Sequence, residues 1–228
     1  MRLGLVTGLA REAACLRHLD LGPGHELLMR TAFGAAASVA AESLVAAGAE
    51  VLVSAGYAGG LAPEARPGDL IVAEAVATAD GRRFQTDPDW QVLLLRRTRS
   101  CGIPAHGGGI AESGQIVATP EDKRALFART GAWTVDQESG RVARVAAARG
   151  LRFAVLRVVL DPSGRALPRA ATAGTTAAGA TRAGPMLAAL ARRPWEIVAL
   201  LRLAGDVRRA DATLGRVGRI GPGLLPLD

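Results

Sequence analysis

Apolar segments alternate with alanine-rich amphipathic segments along this chain of 228 residues. The apolar segments are short, continuous and rich in β-branched residues, which is the pattern of strands buried on both faces of a parallel sheet. They lie at residues 3–7, 50–56, 69–78 and 152–160. Segments of helical length lie at residues 37–48, 89–102, 120–130 and 139–150. This order predicts an α/β fold, a three-layer α/β/α sandwich with a mixed, largely parallel sheet.

The pattern predicts one domain over residues 1–228, because the length and the 49% hydrophobic content suffice for a single core. Residues 163–184 are rich in Gly, Ala, Thr and Pro without a clear period, and we interpret them as a mobile loop or lid. The sequence of residues 185–228 predicts basic helices that are parted at Pro194. Docking of the second helix on the core is favoured, and a surface-seeking basic amphipathic helix is the alternative.

The formal net charge is +7, and arginine supplies nearly all of the positive charge. Aromatic residues make up only 4% of the chain and are not interleaved with basic ones, so we expect no nucleic-acid partner. No apolar run approaches the roughly 20 residues of a membrane-spanning helix. Cys15 and Cys101 form no CxxC pair and lie near no histidine cluster, so no disulfide framework or metal site is indicated. We therefore expect a cytoplasmic protein.

A glycine-rich element, VSAGYAGGLAPEARPGD at residues 53–69, follows a predicted strand. A phosphate-binding P-loop needs GxxxxGK[ST], whose lysine reaches the phosphates, and this element has no lysine. The glycines instead predict a backbone that turns sharply or comes very close to a flat group. A tight turn between strand and helix, with no ligand, is the alternative.

Three carboxylates follow predicted strands or begin predicted helices, namely Glu12, Glu138 and Asp161. An acid in such a place is commonly only a helix cap or a turn residue. Because the carboxyl ends of parallel strands meet at one edge of the sheet, we expect these three to converge. Their joint placement favours a catalytic or binding site.

These segments resemble the purine nucleoside phosphorylase and methylthioadenosine nucleosidase superfamily. Residues 53–74 look like its NTGxAGGL…GDIVV element, and residues 134–161 look like its VxMExxAxAxV…SD element. GLAREA, residues 8–13, is similar to the nucleosidase branch, which has a glutamate there. More narrowly, VATP, LRVVLDPSGRALP and the C-terminal tail resemble the hopanoid-associated phosphorylases. The resemblance runs from residue 1 to about residue 162.

The resemblance implies cleavage of a purine N-glycosidic bond, which needs a proton for the leaving base and tolerance of an oxocarbenium-like sugar. Asp161 would protonate N7 of the purine as general acid, and Glu12 would orient or deprotonate an attacking water. Glu138 would accept hydrogen bonds from the ribose 2′- and 3′-hydroxyls. The other residues implied to bind substrate are Ala58 and Gly59 beneath the base, Val117 along its edge, and Gln137 and Tyr57.

Several residues depart from the family pattern. Gln137 replaces a methionine under the ribose, Tyr57 replaces a serine near the nucleophile, and Leu160 replaces a serine before Asp161. Ala32 replaces a glycine in the segment TAFG. These departures bear on the identity of the substrate and of the nucleophile more than on the bond that is cleaved.

Water is favoured over phosphate as the nucleophile. Phosphate normally needs arginine donors, and the two arginines of the phosphorylase branch correspond here to Glu12 and Ser54. Arg11 is expected to point away from the site, and Arg157 to be structural. Inorganic phosphate stays open as a co-substrate, because residues 163–184 contain further arginines.

The resemblance therefore predicts an enzyme that releases adenine from an adenine nucleoside, with no metal or organic cofactor. The implied substrate is adenosylhopane, a lipid-linked nucleoside of bacterial hopanoid biosynthesis. A methylthioadenosine/S-adenosylhomocysteine-type nucleosidase and a non-catalytic nucleoside-binding protein are the alternatives, and a basic scaffold protein is a third. We also expect a homo-oligomer, and peripheral contact of the C-terminal basic helix with the inner membrane.

Overall fold

The structure is a computed structural model that describes residues 1–174, 183–222 and 224. The strands are β1 (Arg2–Thr7), β2 (Glu26–Thr31), β3 (Val51–Gly60), β4 (Leu70–Ala77), β5 (Arg83–Gln85), β6 (Ala105–Glu112), β7 (Thr134–Asp136) and β8 (Arg152–Asp161). The helices are α1 (Ala10–Leu16), α2 (Ala36–Ala46), α3 (Pro88–Ser100), α4 (Pro120–Thr130), α5 (Ser139–Arg149), α6 (Arg169–Gly174), α7 (Ala183–Arg192) and α8 (Ile197–Val217). A 3₁₀ turn at Pro194–Glu196 joins α7 to α8.

All the described strands belong to one mixed sheet in the order β2-β1-β3-β7-β6-β4-β5, and β8 pairs with both β3 and β4. The pairings β1–β2, β1–β3, β3–β8, β4–β6 and β6–β7 are parallel. Those of β3–β7, β4–β5 and β4–β8 are antiparallel. The predicted mixed, largely parallel sheet is confirmed, and β3, β7, β6, β4 and β8 close into a ring.

The sheet separates two apolar layers. Leu5 and Val53 pack on one side with Leu214 of α8, and Leu52 and Val142 pack on the other side, toward α2 and α5. Buried side chains on both faces explain the continuous apolar runs of β1, β3 and β8. The three-layer α/β/α sandwich is confirmed.

The sequence pattern missed β2, β5, β6 and β7. Strand β2 is only partly buried, and β6 contains Gly107, Gly108 and Gly109, so neither presents a continuous apolar run. At two of these glycines a side chain would collide with a neighbour. A Cβ on Gly107 would lie 2.7 Å from Glu74 Oε1, and one on Gly108 would lie 2.6 Å from the ring of Trp133.

Residues 53–60 of the glycine-rich element are strand, because β3 continues through Tyr57 to Gly60, and the turns expected as the alternative lie in residues 61–69, before β4. A Cβ on Gly56 would lie 2.5 Å from the carboxylate carbon of Glu12. A Cβ on Gly60 would lie 2.9 Å from the carbonyl oxygen of Asp161. The glycines therefore let β3 pass very close to two of the predicted site residues.

The C-terminal helices are parted at Pro194, as predicted. Ala210, Leu214 and Val217 dock the second half of α8 on the core, whereas the first turns of α8 are largely exposed. Docking of the second half of α8 on the core is thus present, and the surface-seeking role of this helix stays a prediction. None of the helices in the described ranges is long and apolar enough to cross a bilayer.

Residues 163–184 were interpreted as a mobile loop or lid. In the part of this segment that is described, residues 169–174 form α6 after Pro168, where an alanine-rich sequence favours a helix. Residues 175–182 lie outside the described residues, as do 223 and 225–228. Mobility of the segment and the single-domain boundary both stay predictions.

Candidate active site

A cavity of about 240 Å³ opens beside the last residues of β3 and the carboxyl ends of β1, β6, β7 and β8. Ligands of open α/β sheets bind at this edge. All the residues predicted for the site line this cavity: Glu12, Tyr57, Ala58, Gly59, Val117, Gln137, Glu138 and Asp161. The convergence expected from the strand ends is therefore present.

Glu12 lies in the first turn of α1 and is 2% exposed. Its Oε2 accepts hydrogen bonds from the backbone N–H groups of Gly8 and Leu9, at 2.7 and 2.8 Å. Its Oε1 accepts from the backbone N–H of Tyr57 at 2.7 Å. Burial raises the pKa of Glu12, opposed by the positive charge of Arg157 and by these N–H donors. A fixed carboxylate of raised pKa suits a general base that works near neutral pH.

Asp161 ends β8 and is 4% exposed. It pairs with Lys123, which is fully buried in the first turn of α4. Lys123 Nζ also donates to the carbonyl oxygens of Pro162 at 2.8 Å and Arg165 at 3.2 Å, so its three protons have acceptors. Burial raises the pKa of Asp161, and Lys123 limits the rise. The carboxyl is thus held as a weak acid that can still release its proton.

Glu138 follows β7, precedes α5 and lines the cavity. Its Oε1 accepts from the backbone N–H of Gly34 at 3.0 Å, and its Oε2 lies 3.4 Å from Arg157 Nη2. Burial raises the pKa of Glu138 to about 7, opposed by Arg157 and reinforced by Asp136. A carboxylate in this environment binds hydroxyl donors strongly, because few other donors compensate its charge.

Arg157 is fully buried beneath the site and is structural, as expected. Its Nε lies 2.6 Å from Asp136 Oδ2, and its Nη2 donates to Ser54 Oγ at 2.8 Å. Asp136 also accepts from the backbone N–H of Ser139 at 3.2 Å, so it caps α5 as well. Arg157 is therefore a counter-charge beneath the acids and is absent from the residues that line the cavity.

The floor between the acids is formed by backbone and small side chains. Ala58 and Gly59 continue β3 across it, and a Cβ on Gly59 would lie 3.6 Å from Asp161 Oδ1. Val117 packs at the edge in a small apolar cluster with Val135. Such a floor can accept a flat ring beside the oxygen of Asp161 that faces it.

Tyr57, the only tyrosine of the chain, contributes mainly its backbone to the site. Its N–H holds Glu12, but its ring packs in the apolar layer with Leu214. Its hydroxyl donates to Asp211 of α8. Burial and the carboxylate of Asp211 raise the pKa of Tyr57, so the hydroxyl stays protonated. The large side chain that replaces a serine near the nucleophile is thus hydrogen-bonded to α8.

No arginine, lysine or histidine is among the described residues that line the cavity. Arg11 points away from the site and lies 3.4 Å from Asp211, as expected. Arg165 lies in the segment 163–184, whose arginines are the candidates for binding phosphate. It pairs with Asp206 of α8. Within the described ranges, no group of three or more His, Cys, Asp or Glu residues could hold a metal ion.

Sequence reasoning missed Lys123 and the apolar part of the cavity lining. Lys123 is the only lysine among many arginines, and that rarity was the one signal that could have marked it. Together with Gln115 and Thr172, large apolar side chains form much of the cavity lining: Leu9, Phe33, Ile116, Leu160, Leu167 and Leu203. Leu203 comes from α8, and only the tertiary structure brings it to the site.

The cavity is lined by buried carboxylates at one edge of the sheet, and the family of the chain follows from comparison with known sequences. Residues 27–193 match the model of the phosphorylase superfamily. The chain belongs to that superfamily. The resemblance seen in the motifs is confirmed at this level.

Particular relatives are more distant. The futalosine hydrolase of Streptomyces coelicolor is 33% identical over 129 residues, which cover 50% of this chain and 55% of that protein. The chain thus spans about half the length of this curated relative. The 5′-methylthioadenosine/S-adenosyl homocysteine nucleosidase of Helicobacter pylori has a TM-score of 0.66 at 20% identity, over 72% of this chain and 86% of that one. A futalosine hydrolase from the same organism reaches 0.69 at 17% identity, over 97% and 94%. At these identities the structures show a shared fold.

Proposed function

We propose that this protein cleaves the N-glycosidic bond of an adenine nucleoside and releases adenine, with water attacking C1′ of the ribose. Three buried carboxylates around one cavity carry this proposal: Glu12, Glu138 and Asp161. Each has a raised pKa and a separate set of partners, so the three can take separate roles. The proposed reaction uses no metal and no organic cofactor.

Departure of the base begins at Asp161. The protonated carboxyl gives its proton to N7 of the purine as the bond between C1′ and the base nitrogen breaks. The electron pair of the broken bond leaves with the base, and the proton from Asp161 makes the departing base neutral. Lys123 stabilises the carboxylate that remains. The Asp161 oxygen nearer to Gly59 faces the cavity floor and is the one we assign to N7.

Attack on the ribose uses the other two acids. Glu12 accepts a proton from water while the oxygen of that water bonds to C1′. Glu138 accepts hydrogen bonds from the ribose 2′- and 3′-hydroxyls, and its negative charge favours the cationic sugar of the transition state. After turnover, proton exchange with solvent deprotonates Glu12 and reprotonates Asp161.

Water is favoured over phosphate because the described lining contains carboxylates and no cation. A phosphate dianion would be repelled by Glu12 and would find no guanidinium there. Arg11 and Arg165 are paired with acids of α8 outside the lining. We therefore propose hydrolysis, in which the second product is the free sugar with its 5′ substituent rather than the sugar 1-phosphate.

The large apolar side chains of the cavity lining favour a hydrophobic 5′ substituent on the nucleoside. Phe33, Leu167 and Leu203 offer apolar contact, and the lining also contains the uncharged polar side chains of Gln115 and Thr172. We propose adenosylhopane, in a cytoplasmic reaction at the inner membrane, as the natural substrate. Methylthioadenosine is the alternative suggested by the structural relative, and futalosine is named by the curated one. A homo-oligomer stays a prediction of the family resemblance.

The test is incubation of the protein with adenosine, methylthioadenosine, futalosine and adenosylhopane, each with and without phosphate. Released base, free sugar and sugar 1-phosphate are measured by chromatography. We expect adenine and the free sugar, which keeps its 5′ substituent, fastest from adenosylhopane and independent of phosphate. Asp161→Asn and Glu138→Gln should lower kcat at least about 100-fold. The matched control is Glu121→Gln, an exposed acid of α4. Tight binding without turnover would instead establish a non-catalytic nucleoside-binding protein.

A further inference from the structure

Large apolar side chains cluster on the outer surface of the C-terminal helices. Of the nine exposed large apolar residues in the described part of the chain, five lie between residues 187 and 201. They are Leu187 (58% exposed), Trp195 (69%), Ile197 (51%), Val198 (52%) and Leu201 (69%). Single exposed apolar residues are ordinary, but a contiguous group on a soluble fold marks an interaction surface. We call these five residues the α7–α8 apolar surface.

Helical geometry explains why this group stays outside the core. Ile197, Val198 and Leu201 are spaced i, i+1 and i+4, so they share one face of α8. Leu203, two residues beyond Leu201, is turned to the opposite face and lines the cavity. The first turns of α8 therefore contact the active-site cavity on one side and expose the apolar surface on the other.

Arginines outnumber acids around the α7–α8 apolar surface, where Arg193 Nη1 lies 3.8 Å from Glu196 Oε1. Arg192 and Arg202 are exposed, and the side chain of Arg193 is 40% exposed. The only acid in residues 183–204 is Glu196, whose side chain is 12% exposed. Glu196 accepts a hydrogen bond from the backbone N–H of Ala170 at 3.0 Å and so is turned toward α6. Apolar side chains with a cationic rim complement an anionic lipid surface, where a tryptophan sits at headgroup depth.

We propose that the α7–α8 apolar surface docks this protein on an anionic bilayer, with Trp195 and Leu201 in the interface and Arg192, Arg193 and Arg202 on the headgroups. Docking leaves one helix between the bilayer and the cavity, about 10 Å. The proposal deepens the proposed function, since a lipid-linked nucleoside would be met where it resides. Binding to lipid requires no turnover, however, so the two proposals fail separately.

The experiment is co-flotation of the full chain with vesicles of phosphatidylcholine alone and of phosphatidylcholine with phosphatidylglycerol. We expect binding to the anionic vesicles, weakened by salt because the Debye length shortens to about 3 Å at 1 M. Trp195→Ser with Leu201→Ser should lower the partition coefficient at least about 100-fold. Replacement of the three arginines by glutamine should lower it about 100-fold as well, at about fivefold for each.

The matched controls are Val39→Ser on α2 and Val92→Ser on α3, which are 72% and 61% exposed and lie outside the α7–α8 apolar surface. Both should bind vesicles as the wild type does, and all variants should retain the thermal unfolding midpoint and the turnover of soluble nucleosides. Wild-type binding to phosphatidylcholine alone that equals binding to anionic vesicles would overturn the proposal. So would unchanged binding by the Trp195/Leu201 variant. A wild-type dimer that this variant converts to a monomer would assign the surface to a second copy of the chain, which also overturns it.

Discussion

Replacement of Lys123 by methionine tests how the proposed acid works. Methionine keeps most of the length and apolar volume of the lysine but removes its charge and its three donors. Asp161 would lose its direct cationic partner, and the carbonyl oxygens of Pro162 and Arg165 would lose a donor. We expect the pKa of Asp161 to rise further, since burial would be less opposed.

The size of the effect follows from the charge that Lys123 supplies. Two unit charges about 4 Å apart interact by about 4 kcal/mol at an effective dielectric constant of about 20. In Lys123→Met this stabilisation is missing from the deprotonated state of Asp161, which forms during bond cleavage. A loss of about 3 to 4 kcal/mol lowers kcat about 10²- to 10³-fold. KM should change little, because the three ammonium protons are already bonded within the protein.

The assay is release of adenine from a soluble nucleoside across the pH range, for single and double variants. If the reaction needs protonated Asp161, kcat falls as the pH rises through the pKa of Asp161. Lys123→Met raises that pKa, so the basic limb of the plot of kcat against pH should move to higher pH. In the Asp161→Asn background, Lys123→Met should change kcat less than about threefold, because the carboxylate it serves is gone. Arg124→Met, the exposed neighbour on α4, is the matched control.

The reasoning is refuted if Lys123→Met lowers kcat equally with Asp161 and with Asn at that position. An unshifted basic limb would refute it too. Thermal unfolding of each variant separates these results from a general loss of folded protein. A variant that unfolds early yet keeps the shifted limb in its folded fraction still supports the proposed role.

Three further predictions concern the other partners of the site. Between its ordinary pKa of 4.5 and about 7, folded Glu138 holds a proton that the unfolded chain releases, so the unfolding free energy falls as pH rises. This fall amounts to about 3 kcal/mol, and denaturant titrations at pH 5 and pH 8 should show it absent in Glu138→Gln. Gly56→Ala should abolish turnover in the same assay, because its Cβ would lie 2.5 Å from the Glu12 carboxylate carbon. Tyr57→Phe should lower the unfolding free energy by about 2 kcal/mol and leave kcat nearly unchanged, since its hydroxyl donates to Asp211 of α8 and not to an acid of the proposed site.

Each of these predictions has a control or a contrary result. If the unfolding free energy falls equally with pH in the wild type and in Glu138→Gln, the pH dependence belongs to a group other than Glu138. Gly114→Ala is the control for Gly56, because a Cβ there meets no atom within 4 Å and the variant should stay active. Loss of turnover in Tyr57→Phe at wild-type stability would show that the hydroxyl, and not the backbone of Tyr57, acts in the site.

The convergence of the proposed catalytic acids could be predicted from sequence because it depends on one simple rule. Glu12 and Asp161 follow strands whose apolar runs are easy to detect, and parallel strands end at the same edge. The glycine-rich element could be predicted as a place of close approach, but not as a strand. What approaches it closely is the carboxylate of Glu12, which lies 44 residues away from Gly56 in the chain.

The other features depend on how helices lie on the sheet, which local patterns do not encode. Lys123 reaches Asp161 only because the N-terminus of α4 lies beside the loop after β8. The direction of Tyr57 could not be predicted either, since a shift of one residue in β3 would have turned its ring into the cavity. The division of α8 into a docked half and an exposed half could likewise not be predicted, because it depends on which part of the helix packs on the core. Its buried residues lie between Asp206 and Val217.

Because Lys123 is buried, the rate at which its amine is chemically modified reports how often the active-site region opens. It is the only lysine of the chain and has no exposed surface, so an amine-specific acylating reagent can modify a lysine only when this region opens. Opening frequency then becomes readable as the growth of one modified peptide in a mass spectrum. A nucleoside that occupies the cavity should slow that growth, which would measure occupancy without any chromophore or radiolabel.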